Sequence, residues 1–308
     1  MLPNLFLVGA MKAGTTSLAS ALSHHPEIFC CPIKEPNYFA RELHENGVHK
    51  RFPSTRHFDI AAYLEEGVLP QKHYAYVERQ DDYMALFREA RGEKYLLDAS
   101  TSYLSSPVAA ELIATMSPDA KIVIVTREKS SRAWSEFRMN MQIGLATTDF
   151  RSALEREAQQ IMLGRVPLVE RYVTTGWYRH HTARFIKYFG EENVFVVDMV
   201  DMVRDSRTFF NSLCTVLGIK TLDIEIPREN AQVEPRFPML NRALYASGVK
   251  YVGSKYAPAG VVRIAKEWLA ARRPQAMPTE FSRVFWEYYS KLSPEEDREI
   301  QEEKLTRW

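Results

Sequence analysis

The run Leu5-Phe6-Leu7-Val8-Gly9-Ala10-Met11-Lys12-Ala13-Gly14-Thr15-Thr16-Ser17 constrains the fold more than any other stretch of the chain. Leu5 to Val8 are continuously apolar, as a strand buried on both faces of a parallel sheet must be. Gly9 to Gly14 breaks that pattern. From Thr15 the period becomes helical, with Leu18, Ala21 and Leu22 on one face, until His25-Pro26 stops it. Strand, glycine-containing loop and helix, in that order, open a βαβ unit.

Further apolar runs at Lys94–Asp98, Lys121–Val125 and Val194–Val197 read as buried strands. Helical periods fill Val108–Met116, Ser131–Ile143, Phe150–Leu163 and Tyr178–Phe189 between them. The alternation predicts an α/β fold: a P-loop-like parallel sheet of about five strands flanked by helices on both faces. Residues 41–82 are polar and irregular, an excursion over one edge. From about Ala231 the chain turns loop-like and ends in charged helical sequence around Glu295–Lys304. A single domain over 1–308 is expected.

In a Walker A loop, G-x-x-x-x-G-K-[ST], the lysine follows the second glycine. Gly9, Gly14 and Thr16 fit that pattern here, but Thr15 stands at the lysine position and Lys12 lies inside the loop. Backbone N–H groups from Gly14 to Ser17 at a helix start bind a phosphate, and the hydroxyls of Thr15, Thr16 and Ser17 add donors. Lys12 reaches the bound group as a mobile point charge. Asp98, ending an apolar strand, keeps a magnesium-dependent kinase or NTPase open as an alternative, with Thr16 and Asp98 on the metal.

Composition narrows the partners. A formal net charge of +1 gives no basis for broad capture of nucleic acid. Three cysteines without regular spacing form no disulfide framework. His24, His25, Cys30 and Cys31 lack a C-x-x-C element, so no metal site is expected. Met1 to Val8 has neither a basic n-region nor a cleavage site, and no run reaches the ~18 apolar residues that span a bilayer. The expectation is a cytoplasmic chain without a membrane partner.

The K-A-G-T-T-S loop, followed by Lys34-Glu35-Pro36-Asn37-Tyr38-Phe39, resembles the sulfotransferases that use 3′-phosphoadenosine 5′-phosphosulfate (PAPS). The bacterial type, related to the sulfotransferase domains that modify heparan sulfate, is the nearest in pattern. The resemblance runs from Leu5 to about Leu240. It implies that Lys12, Ala13, Gly14, Thr15, Thr16 and Ser17 bind the 5′-phosphosulfate. It also implies that no metal is required.

A second phosphate needs a second site. Thr126-Arg127-Glu128-Lys129-Ser130-Ser131-Arg132-Ala133-Trp134-Ser135 follows the strongest strand. Ligands of open α/β sheets bind beyond the carboxyl ends of strands, where Arg127 falls. The helix after it should set Trp134, Phe137 and Met141 on one side, and Ser131, Ser135 and Arg138 on another. The segment is similar to the family's R-[DN]-P-x-x-R-x-x-S element, which implies that Arg127 and Ser135 hold the 3′-phosphate. Glu128-Lys129 replaces the usual pair before the helix. Arg236, in Pro235-Arg236-Phe237-Pro238, is the implied cap on that phosphate, with 231–308 closing over the nucleotide.

Attack on sulfur requires a base. The resemblance puts Glu35 in that role, catalytic together with Lys12; His57, His73 and His181 are the alternatives. Gly176-Trp177-Tyr178 with His181 also matches a family stretch, and Tyr178 reads as aromatic core. The heparan-type enzymes carry E-K-[TS] where this chain has Asp98-Ala99-Ser100, so their lysine is missing at Ala99. The implied reaction is sulfuryl transfer from PAPS to a hydroxyl or amine; near-zero net charge and the expected lack of a membrane anchor favour a small-molecule acceptor, its pocket shaped by residues 41–82. A glycan acceptor is the alternative.

Overall fold

The computed structural model describes residues 2–48, 55, 58–143, 145–146, 149–165, 167–227 and 277–298, with short pieces at 234–235, 244, 260 and 270–272. Strands β1 (Leu5–Gly9), β2 (Ile28–Cys30), β5 (Tyr95–Asp98), β6 (Lys121–Thr126) and β7 (Val194–Asp198) form one sheet. Their order is β2-β5-β1-β6-β7 and every pairing is parallel. Leu5 to Val8 are fully buried at its centre, as continuous apolarity requires. The expected five-stranded α/β sheet is therefore present. Sequence patterning located four of its strands. The fifth, β2, is a three-residue edge strand, too short to show a period.

A separate parallel pair joins β3 (Ile33–Lys34) to β4 (Lys72–His73), with Lys34 opposite His73. This pair gives residues 41–82 more order than the sequence suggested. Among the described residues it carries three short helices, α2 (Arg41–Glu45), α3 (Ile60–Leu64) and α4 (Gln80–Ala85).

Among the longer helices, α1 (Thr15–Leu22) follows β1, α5 (Ala109–Met116) precedes β6, and α6 (Lys129–Gln142) follows it. Then come α7 (Phe150–Met162), α8 (Tyr178–Phe189), α9 (Met199–Arg204) and α10 (Ser206–Leu217). Near the C-terminus, α11 (Thr279–Leu292) precedes the short α12 (Glu295–Arg298). The expected tail helix thus has a larger neighbour upstream, and residues 299–304 lie outside the described residues.

Helix α11 closes a second core against α6 and α7, built on Phe137, Phe150, Tyr172 and Phe285. Trp134 stacks on Phe281 at 4.5 Å between ring centroids. Met141 does not join the Trp134 side as expected; it is 44% exposed, in the last turn of α6.

Candidate active site

The loops after β5, β1 and β6, three neighbouring strands, emerge at one edge of the sheet. Those loops carry Lys12, Arg127 and Thr101. After β1, Ala10 donates its backbone N–H to the Val125 carbonyl at 2.7 Å, fixing the loop base on β6. Gly14 then caps α1 in the left-handed region at φ 88°. No side chain caps that helix end, so the orphan N–H groups of its first turn face the loop. Gly14 to Ser17, the segment expected to bind a phosphate, form this helix start. Thr15 and Ser17 are buried within it.

Lys12 also adopts a left-handed backbone, at φ 69°. Only a minority of non-glycine residues do so, and such conformations cluster at functional sites. Its amine lies 3.8 Å from the Met139 sulfur on α6. Burial lowers its pKa most; Glu136 and Glu35 oppose that shift, while Arg127 and Arg138 reinforce it. One amine thus senses charges from the loop after β6, from helix α6 and from the β3 end.

Arg127 leaves the end of β6 and donates Nη1 to the Lys12 carbonyl at 2.9 Å. Its own carbonyl accepts the Tyr178 hydroxyl at 2.9 Å. Tyr178 is therefore core-packed, as expected, and also supports the strand end. Glu128 fills the helix-capping role: its carboxylate accepts from the backbone N–H groups of Ser130 and Ser131 at 2.8 and 2.7 Å. The unusual Glu128-Lys129 pair thus still starts the helix cleanly.

The matched arginines part company here. Arg132 is wholly buried, pairing with Glu136 at 2.6 Å and donating to the carbonyls of Arg171 and Tyr172. It bolts α6 to the 171–172 segment. Ser135 lies buried on the same helix, as does Arg138. Arg236 and His57 lie outside the described residues.

At the β3 end, Glu35 is held at φ 64° with its carboxylate almost entirely buried. Oε1 receives the Lys34 ammonium at 2.8 Å and lies 3.5 Å from His73 Nε2; Oε2 accepts the Thr101 hydroxyl at 3.0 Å. Burial alone would raise its pKa, but Lys34 and His73 together hold it well below the ordinary carboxylate range. Asn37 braces the turn, donating to the Glu35 and Ala75 carbonyls at 2.7 and 2.9 Å. The β3–β4 register created the contact with His73. Thr101 was missed in the sequence, and its one signal was the hydroxyl-rich stretch after β5.

Two sequence alternatives lose ground. His181 is buried, its Nε2 at 2.8 Å from the Thr174 carbonyl, and its pKa falls to about 3 through burial and nearby Arg184. It is a packing histidine. Asp98 is fully buried and accepts from Tyr83, Tyr103 and Ser100 at 2.7, 2.8 and 2.7 Å. Both carboxylate oxygens are engaged inside the protein, which leaves the magnesium-binding aspartate of the kinase reading without a free face.

A parallel sheet whose central strand leads into a lysine-bearing glycine loop, with an arginine clamped beside it, is a P-loop-like framework. The model of the Sulfotransferase family matches residues 3–223, and the chain belongs to that family. The bifunctional heparan sulfate N-deacetylase/N-sulfotransferase 1 of Caenorhabditis briggsae is 23% identical over 231 residues. That alignment takes in 73% of this chain and 23% of the relative, so the chain spans under a quarter of that longer protein. The heparan sulfate glucosamine 3-O-sulfotransferase 6 of Homo sapiens is 24% identical over 286 residues, covering 92% of this chain and 71% of the relative. A crystal structure of a sulfotransferase from Alicyclobacillus acidocaldarius superposes with a TM-score of 0.58 at 29% identity, covering 85% of this chain and 99% of that one. No helix among the described residues is long and apolar enough to cross a membrane.

Proposed function

We propose that this chain transfers the sulfuryl group of PAPS to a hydroxyl or amine of a small-molecule acceptor. The observation that carries the proposal is the Arg127–Lys12 contact, 2.9 Å from guanidinium to loop carbonyl. It couples the anion-binding start of α1 to a second cationic group at the next strand end. A ligand with a 5′-phosphosulfate and a separate 3′-phosphate suits that pair better than a linear triphosphate.

In this reading Ala13, Gly14, Thr15, Thr16 and Ser17 offer backbone and hydroxyl donors to the 5′ end. Lys12 stabilises the charge that develops on the bridging oxygen as the phosphate leaves. Arg127 and Ser135 hold the 3′-phosphate, with Arg236 closing over it. Glu35 supplies the negative charge of the proton-accepting centre, opposite the donor. Lys34, fixed on Glu35, supplies the ammonium that Ala99 cannot. Residues 41–82 form the acceptor side of a single domain, and 231–308 its nucleotide-closing side.

A glycan acceptor is the second reading, favoured by the relatives' names. Near-zero net charge and Ala99 weigh against a polyanionic one. Titration calorimetry with adenosine 3′,5′-bisphosphate, in chelator, is the test of the donor. Tight metal-independent binding is expected, and binding of MgATP alone would overturn the reading. Transfer from labelled PAPS to phenols, alkyl alcohols, amines and desulfated heparan oligosaccharides then sorts the acceptors.

A further inference from the structure

Glu35 is poorly disposed to take a proton itself. Oε1 faces both Lys34 and His73, Oε2 accepts from Thr101, and every one of those partners stabilises the ionised carboxylate. His73 differs. It sits opposite Lys34 in the β3–β4 register, and its side chain is 60% exposed where that of Glu35 is 12% exposed. With Nε2 turned to Glu35, the neutral ring carries its lone pair on Nδ1, and no described residue hydrogen-bonds that atom.

We infer that His73 is the general base and that Glu35 is the carboxylate that orients it. The inference rests on the sulfotransferase reading and assigns the proton within it. The acceptor oxygen attacks sulfur as its O–H proton passes to His73 Nδ1. The new O–S bond forms while the bond from sulfur to the bridging phosphate oxygen breaks, and that electron pair leaves with adenosine 3′,5′-bisphosphate. Glu35 stays ionised and stabilises the imidazolium through Nε2–H, the role of a carboxylate behind a catalytic histidine. The charges beside His73 are Lys34 on β3 and Glu35 just after it, with Lys72 next to it on its own strand and its amine over the Phe58 ring; Tyr74 flanks the imidazole, 6.5 Å between centroids. The nearest of these is the Glu35 carboxylate, 3.5 Å from Nε2.

Two measurements test this. The first needs no turnover: the His73 ring proton is followed by NMR across pH in the wild type and in Glu35→Gln. The dyad predicts that His73 titrates at lower pH in the variant, and an unmoved titration overturns it. The second is kinetic, with PAPS and a panel of alkyl alcohols and phenols. His73→Gln should lower kcat by about 10²-fold or more with little change in the KM for PAPS. Imidazole should partly rescue His73→Ala, and the loss should shrink as the phenol becomes more acidic. Full kcat in His73→Gln, with activity abolished in Glu35→Gln, makes Glu35 the direct base and overturns the inference. A wild type that binds no adenosine 3′,5′-bisphosphate fails the parent reading instead, and the NMR titration still decides the dyad.

Discussion

The hydroxyl of Tyr178, at the start of α8, donates to the carbonyl of Arg127 at 2.9 Å and so braces the strand end from behind. Arg127 in turn holds the Lys12 carbonyl. A buried tyrosine thereby reaches the phosphate loop through one intermediary. Tyr178→Phe removes the donor to a part-buried carbonyl, a change of about 1 kcal/mol. Affinity for adenosine 3′,5′-bisphosphate should fall roughly fivefold by calorimetry, since about 1.4 kcal/mol is tenfold. Unchanged affinity would show that the brace does not reach the ligand.

Lys12 and Arg127 should separate kinetically. Lys12 is assigned to charge that develops as the phosphate departs, so Lys12→Ala should lower kcat by about 10²–10³-fold with modest loss of binding. Arg127→Ala removes a ground-state phosphate contact together with the support of the Lys12 carbonyl. It should raise the dissociation constant for adenosine 3′,5′-bisphosphate by at least roughly tenfold, the scale of a charge-assisted hydrogen bond. Equal effects of both variants on binding alone would contradict the assignment.

Two buried groups give stability opposite pH dependences. Burial raises the Asp98 pKa from 3.8 to about 6, against the pull of its three hydroxyl donors. The protonated form is thus favoured in the fold. That contribution is full below about pH 4 and is lost as pH rises through about 6, worth up to about 3 kcal/mol as an order of magnitude. Asp98→Asn should therefore melt higher than wild type at pH 8, with the gap closing toward pH 4. Buried His181 works the other way. Its pKa is lowered from 6.5 to about 3, so its contribution is full above 6.5 and is lost as pH falls toward 3. His181→Gln should flatten the acid side of a melting-temperature profile.

The parts of this fold that could be read from sequence are those in which a period changes within a few residues. Leu5 to Ser17 passes from unbroken apolarity to a helical face, and that transition located both β1 and the phosphate loop. Arg127 was legible because a strand end fixes its position. Arg132, matched in the same motif but given no role, could not be placed, because a motif records spacing and says nothing of helix phase; the phase of α6 turns Arg132 into the core against Glu136. The meeting of Glu35 with His73 was equally hidden, since it depends on which residues of a distant strand pair lie in register. Helix α11 did carry a signal, with Phe281, Val284, Phe285 and Tyr289 on a helical period, but it lies in a stretch that reads as loop followed by charged tail.

Gly14 offers the strictest test of the loop itself. At φ 88° an L residue is strained, by roughly 1–2 kcal/mol for the left-handed region. A Cβ there would also lie 2.6 Å from the terminal methyl of Met202, on α9, the helix after β7. That methyl ends a flexible side chain, so the contact is relieved more cheaply than the backbone strain. Gly14→Ala should therefore lower stability by about 1–2 kcal/mol and weaken adenosine 3′,5′-bisphosphate binding. Adding Met202→Ala should recover little of the lost affinity, because the dihedral penalty stays and the N–H groups at the start of α1 remain misdirected. If the double variant binds like wild type, crowding by Met202 rather than backbone conformation is what the glycine avoids.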